Sequence, residues 1–149
     1  MLRTIHFVPV AIMLFSIASC SKSSTTTPDP NITFKATLNA ANERPTPNAS
    51  TATGSATLVF NNTTKIFTVT VTYTGLTGTA TASHIHKGDV TVAGSVIFGF
   101  SSVTVSPIVY TSAALDATQE ADLKASMYYV NIHTAANPGG EIRGQLIQQ

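Results

Sequence analysis

Three histidines carry most of the chemical interest of this chain. His84 and His86 stand two apart in Ala-Ser-His-Ile-His-Lys, where polar and apolar side chains alternate. At strand spacing, residues i and i+2 share a face, so both imidazoles point one way and Ile85 points the other, into a core. His133 lies in a similar stretch, Tyr-Tyr-Val-Asn-Ile-His-Thr. There Val130 and Ile132 are expected to face the core, leaving Tyr129, Asn131 and His133 outward. In a third stretch Ile142 and Leu146 point in, while Glu141, Arg143 and Gln145 point out. Asn137-Pro138-Gly139-Gly140 joins the second and third as a hairpin, with Pro presetting one turn angle and Gly accepting positive φ. If the His84 strand lies beside them, one outer face gathers His84, His86, His133, Glu141 and Arg143.

Two chemistries suit that face. Neutral imidazoles at this spacing are what a Zn²⁺ or Cu²⁺ site needs, with Glu141 or a water as fourth ligand. Copper–zinc superoxide dismutase, a β-sandwich, also carries a His-x-His strand pair. The present chain lacks the further histidines of that enzyme, so the parallel is one of spacing alone. The alternative is a structural polar network of His84, His86, Asn131, His133, Glu141 and Arg143. Its histidines and Arg143 would hydrogen-bond the Pro-Gly-Gly loop and Glu141 and so hold the hairpin. The network, with no cofactor, is the expectation; the metal site is its alternative.

Other chemistry finds little to work with. The chain has no Gly-x-Ser-x-Gly elbow, no Gly-rich phosphate loop and no cysteine cluster. Seven scattered acids make a poor source of paired glycosidase carboxylates. Asp89 reads as a turn residue. Tyr128-Tyr129 reads as one core ring and one surface ring rather than a sugar-stacking platform. No catalytic residue is assigned, and the protein is read as non-enzymatic.

The elements that must position these groups follow from period-two alternation broken by Gly, Asn and Pro from Ile32 onward. It predicts strands at Thr33–Asn39, Ser55–Asn61, Lys65–Tyr73, Ala80–His86, Ser95–Phe100, Val103–Tyr110, Tyr128–Thr134 and Glu141–Ile147. Asn61-Asn62-Thr63-Thr64 predicts a hairpin turn. In the strand after it, Ile66, Val69 and Val71 are candidates for the buried face, with a bulge to reconcile their parity. One short helix is expected near 116–127. Asp116 or Thr118 would cap it, Gln119 and Glu120 sit near its positive end, and Leu115, Leu123 and Met127 supply its apolar side. It should lie across an edge or end of the sheet. The fold class is all-β: an antiparallel β-sandwich or flattened barrel of about eight strands with one short helix.

Residues 1–20 read as an export signal. Arg3 and His6 precede an apolar run from Phe7 to Ala18, too short to span roughly 30 Å of hydrocarbon but suited to a signal peptide. The run ends Ile17-Ala18-Ser19-Cys20, which resembles the lipobox of bacterial lipoproteins. The resemblance implies that Cys20 is lipidated with acyl chains such as palmitate and becomes the mature N-terminus. Several acyl chains on one residue give durable anchoring. Ser21 after the cysteine favours the outer membrane over inner-membrane retention. Cys20 is the only cysteine, so no intramolecular disulfide can form. Residues 21–31 hold no apolar side chain to bury and read as a tether. The expected organisation is therefore 1–19 signal peptide, 20–31 lipidated cysteine and tether, and 32–149 β domain, in the bacterial cell envelope.

Charged residues make up 10% of the 149, and Thr, Ser, Ala and Val dominate. Removing 1–19 takes Arg3 away and leaves seven basic against seven acidic side chains. A neutral domain has no electrostatic reason to seek nucleic acid or an anionic membrane surface, so the membrane contact expected is the lipid alone. Roughly 115–120 residues remain to fold, enough to bury about two-thirds of their surface without a covalent staple. A protein or glycan partner leaves no signature in the composition. Four Asn-x-Ser/Thr sequons, at Asn31, Asn48, Asn61 and Asn62, are expected by chance in so Thr-rich a chain.

Three stretches together carry a family resemblance. The first is Phe34-x-Ala36-x-Leu38, followed by Asn42-Glu43-Arg44-Pro45 and Ala52-Thr53-Gly54. The second is Tyr73-x-Gly75-Leu76, leading to Ala82-Ser83-His84-Ile85-His86-Lys87-Gly88. The third runs Tyr129-Val130-Asn131-Ile132-His133-Thr134, then Asn137 to Leu146. From about Phe34 to Leu146 the chain resembles the chordin-type (CHRD) domain, found in chordin and in many bacterial secreted proteins. The resemblance implies an extracellular all-β domain with no established catalytic activity and a binding or structural role. The growth-factor partner of chordin does not carry over to a bacterial lipoprotein. Two departures stand out: Glu-Arg-Pro-Thr-Pro where adjacent prolines are usual, and a short loop, Lys87 to Ala93, without the Gly-Pro-rich insert of relatives.

Overall fold

Residues 29–149 are described by the computed structural model of the chain; the signal segment, Cys20 and most of the tether lie outside them. Among the described residues, alternation becomes nine strands: β1 Asn31–Asn39, β2 Thr53–Asn61, β3 Phe67–Thr74, β4 Ala80–Lys87, β5 Ser95–Gly99, β6 Ile108–Thr111, β7 Tyr128–Thr134, β8 Ile142–Gln145 and β9 Ile147–Gln148. One α-helix, α1, covers Ala117–Lys124, and a 3-10 turn covers Ala40–Asn42. All strand pairs are antiparallel, in the order β5-β4-β7-β8-β1-β2-β3-β6, with β9 pairing β1 just beyond β8. The single sheet curls on itself as a half-barrel, the barrel form of the expected all-β fold.

Its concave side is the core. Phe34, Ala36 and Leu38 on β1 alternate with solvent-facing Lys35 and Thr37, and Phe67, Val69 and Val71 on β3 alternate with Thr68 and Thr70. Register puts Phe34, Leu58 and Val69 in one row and Ala36, Ala56 and Val71 in the next, so large and small rows interdigitate. Each fully buried Leu or Phe contributes about 1.5–3 kcal/mol. The sheet's two ends, β5 and β6, close through rings rather than backbone bonds. Phe98 meets Phe67 edge-on at 5.2 Å and Tyr110 at 6.3 Å, and Phe100 lies 5.1 Å from Tyr110.

Three local expectations change. Phe67, not Ile66, opens the buried face of β3; Ile66 is exposed, and the regular β2–β3 register needs no bulge. The strand expected over Val103–Tyr110 shortens to β6. Pro107 cannot donate to a ladder, and Ser106 Oγ instead accepts from Tyr73 N at 3.1 Å, while Tyr73 OH donates to Val103 O at 2.7 Å. The strand expected over Glu141–Ile147 splits at Leu146, which turns into the core and donates its N–H to Tyr128 O; β8 then pairs β7 and β9 pairs β1.

The helix starts where its capping chemistry predicts. Asp116 accepts from Gln119 N at 2.8 Å and Gln119 Oε1 accepts from Asp116 N at 3.1 Å, a reciprocal capping box. Leu115 and Leu123 enter the core and Met127 is half-buried. Contacts to both halves of the sheet lay α1 across its end: Lys65 reaches Glu120 at 3.0 Å, Lys124 reaches Asn62 at 2.8 Å and Lys87 reaches Asp122 at 2.6 Å.

Candidate metal centre

The convex side of β5-β4-β7-β8 holds the histidines, in rows fixed by backbone register. Gly99, His84, Asn131 and Arg143 form one row; Val96, His86, Tyr129 and Gln145 form the next; His133 sits opposite Ala82, diagonal to His84. The short β4–β5 loop then folds back over this face. Arg143 donates to Val92 O at 2.8 Å and Asp89 O at 2.6 Å, Gln145 donates to Gly88 O at 2.9 Å, and Gly94 N donates to Tyr129 OH at 3.0 Å. Only glycine can stand at 94, because a Cβ there would lie 1.6 Å from Lys87 O. The expectation that Tyr129, Asn131 and Arg143 face outward is thus half right. They point away from the core, yet Tyr129 and Arg143 are 2% exposed and Asn131 3%. Their second cover is the loop, whose carbonyls the guanidinium binds. Arg143 also lies 3.4 Å from the Tyr129 ring centre, and Tyr129 stacks on His86 at 4.9 Å and 9°.

Inside this shell the three imidazoles meet. His84 Nδ1 is 3.2 Å from His133 Nε2, and ligand atoms of His84, His86 and His133 all lie within 4.8 Å of one another. Backbone carbonyls set the tautomers. His133 Nδ1 lies 2.9 Å from Pro138 O and His86 Nδ1 lies 2.9 Å from Gly94 O. A carbonyl oxygen can only accept, so each Nδ1 carries the proton and, in a neutral ring, each Nε2 carries a lone pair. His133 Nε2 faces His84 and also Asn131 Oδ1, at 3.1 Å. His86 Nε2 is buried with no hydrogen-bond partner at all.

The electrostatics favour the neutral form of His84 and His86. Burial depresses the His84 pKa below the usual imidazole value, and the neighbouring His133 and His86 depress it further, against a rise from the Asn131 amide oxygen. Burial also lowers His86, outweighing the Gly94 carbonyl that favours its protonated form; His133 and Arg143 add to the lowering. Neutral, lone-pair-bearing imidazoles are the form that binds metal.

Glu141 is engaged elsewhere. It lies just before β8, and its carboxylate accepts from Ser50 Oγ at 2.7 Å, Thr77 N and Oγ1 at 2.8 Å each, and Thr134 Oγ1 at 2.6 Å. Burial pushes its pKa up, but hydrogen bonds from Thr134, Ser50 and Thr77 outweigh it and hold the group at about 2. It ties three loops together at the end of the sheet, away from the histidine triangle. Within the proposed polar network, His133 does bond the Pro-Gly-Gly loop through Pro138, while Arg143 bonds the 88–94 loop rather than Glu141. Sequence reading missed Ser50, Thr77, Val92 and Gly94 as partners. Each acts through backbone or hydroxyl groups that every Thr- and Gly-rich segment offers.

No curated protein and no solved structure matches the chain. The family model of the CHRD domain matches residues 34–146, well over half of the sequence and all of the strands that build the histidine face. The chain therefore belongs to the CHRD-domain family.

Proposed function

We propose that this protein is a non-catalytic, extracytoplasmic CHRD module that binds one Zn or Cu ion through His84, His86 and His133, and that lipid on Cys20 holds it at a bacterial envelope membrane. The observation that carries the metal reading is His86 Nε2. A buried lone pair without a partner costs about 1–3 kcal/mol, and the ring that carries this one has a nitrogen within 4.8 Å of nitrogens of His84 and His133. A tetrahedral ion with metal–nitrogen bonds of about 2.0–2.1 Å separates its ligand atoms by about 3.3 Å. His84 Nδ1 and His133 Nε2 stand 3.2 Å apart. The carbonyls of Pro138 and Gly94 supply the outer contacts that orient ligating imidazoles.

The polar-network reading keeps one observation of its own: the Arg143 clamp and the Pro138 bond hold loops whether or not an ion is present. It leaves His86 Nε2 unexplained. The two readings part on stoichiometry. Purified protein equilibrated with Zn²⁺ or Cu²⁺ and then gel-filtered should retain close to one ion per chain by elemental analysis. Retention near zero for both metals would return the site to the network reading.

Anchoring at Cys20 is supported by the lipobox-like Ile17-Ala18-Ser19-Cys20 and by a following segment without apolar side chains. Cys20→Ala should move the protein from the membrane fraction to the soluble fraction without changing its melting temperature. A variant still extracted only by detergent would place the anchor elsewhere.

A further inference from the structure

We infer that Asn131 Oδ1 is the fourth ligand of the centre, which makes the site a closed three-nitrogen, one-oxygen cage rather than one with an open water position. This rests on the metal reading above. Asn131 occupies the middle of β7, between His84 on β4 and Arg143 on β8, and is 3% exposed. Its amide oxygen lies 3.1 Å from His133 Nε2. The proton of His133 is committed to Pro138 O, so this contact sets an acceptor against a lone pair. Two such atoms repel at that distance unless a cation bridges them, the ring takes a second proton, or the amide turns its Nδ2 toward the ring; of these, a bridging cation also fills the His86 lone pair. Register also sets Asn131 directly opposite His84 and diagonal to His86, so its side chain shares the face of all three imidazoles.

An amide oxygen is a weak donor of the kind that takes the long axial position in some copper centres, and a buried one at the fourth position excludes the water that hydrolytic zinc sites keep. The consequence is functional. A closed cage of neutral donors holds its ion, whereas an open site would activate bound water. The geometry thus assigns this module to ion retention, and Glu141, which sequence spacing offered as a ligand, spends its carboxylate on Ser50, Thr77 and Thr134.

Cobalt(II) is a suitable probe because its visible absorption reports coordination number and exogenous ligands. The purified protein should take up one Co²⁺ with four-coordinate absorption that millimolar azide leaves unchanged. Asn131→Ala should bind Co²⁺ about tenfold more weakly, the scale of losing a supporting group at a metal site, and its bands should now shift with azide. Asn131→Asp keeps shape and an oxygen donor, so it should bind Co²⁺ and again resist azide, which separates ligand loss from misfolding. Azide shifting the parent's bands as readily as those of Asn131→Ala would overturn the fourth-ligand assignment and leave the three-histidine centre standing. A parent that takes up no Co²⁺, Zn²⁺ or Cu²⁺ would overturn the centre itself, and Asn131 with it.

Discussion

At the scale of single residues, two buried carboxyls set opposing pH limits on this domain. Glu141, held at about 2 by four hydrogen bonds, contributes stability that is fully present above its unfolded value of about 4.5 and is lost as pH falls toward 2. Glu43 behaves oppositely. It is 3% exposed, its Oε1 has no partner, and burial outweighs the pull of Arg143 and Arg44 to raise it to about 7. A carboxyl raised in the folded state favours folding below about 4.5 and withdraws that support as pH rises to about 7. Each window is worth on the order of 3 kcal/mol. Denaturation of metal-free protein should therefore show Glu43→Gln gaining on the parent between pH 4.5 and 7. Glu141→Gln should lose ground on the parent as pH rises from 2 to 4.5. Differences that stay constant across these windows would mean that neither group carries the proposed shift.

At the scale of elements, legibility followed the range of the interactions. Alternation with Gly and Asn turns located nearly every strand, and the Asp116–Gln119 pair located the helix start, because both are settled within a few residues. What failed depends on partners far along the chain. Glu141 was read as outward by strand parity, but Ser50 and Thr77, 91 and 64 residues away, turn its carboxylate toward the end of the core. Parity also gave the correct side for Arg143, yet could not show that the 88–94 loop covers it. The three-histidine face was legible through its i, i+2 spacing; the tautomers were not, since they depend on Pro138 and Gly94 carbonyls placed by tertiary structure. The turn after β7 offers a test at this scale. Gly140 has φ 130°, and a Cβ there would stand 2.5 Å from the Glu43 carboxylate. Gly140→Val combines backbone strain with a buried clash and should cost more than about 2 kcal/mol in urea denaturation. A midpoint equal to the parent's would show that this turn does not pack on Glu43.

At the scale of the whole molecule, a half-barrel with an apolar concave core carries a polar, loop-covered cluster on its convex side. The core supplies stability, and the cluster brings three imidazoles and the Asn131 amide together on the opposite face. Residues 20–149 carry seven acids against seven bases, so this stretch has no net charge to draw a polyanion. The proposed metal binding rests on the histidine face, where ligand atoms of His84, His86 and His133 lie within 4.8 Å of one another. The most direct test of that claim is a melting curve with and without metal for the parent and for His84→Gln/His86→Gln/His133→Gln, which keeps side-chain polarity but not the ligand set. Zn²⁺ or Cu²⁺ at 100 times its dissociation constant should stabilise the parent by about 2.7 kcal/mol and the triple variant not at all. The gain should fade below about pH 6 as the imidazoles take up protons. A parent whose melting temperature ignores both metals, with the triple variant only modestly less stable, would contradict the account and leave the cluster a structural network.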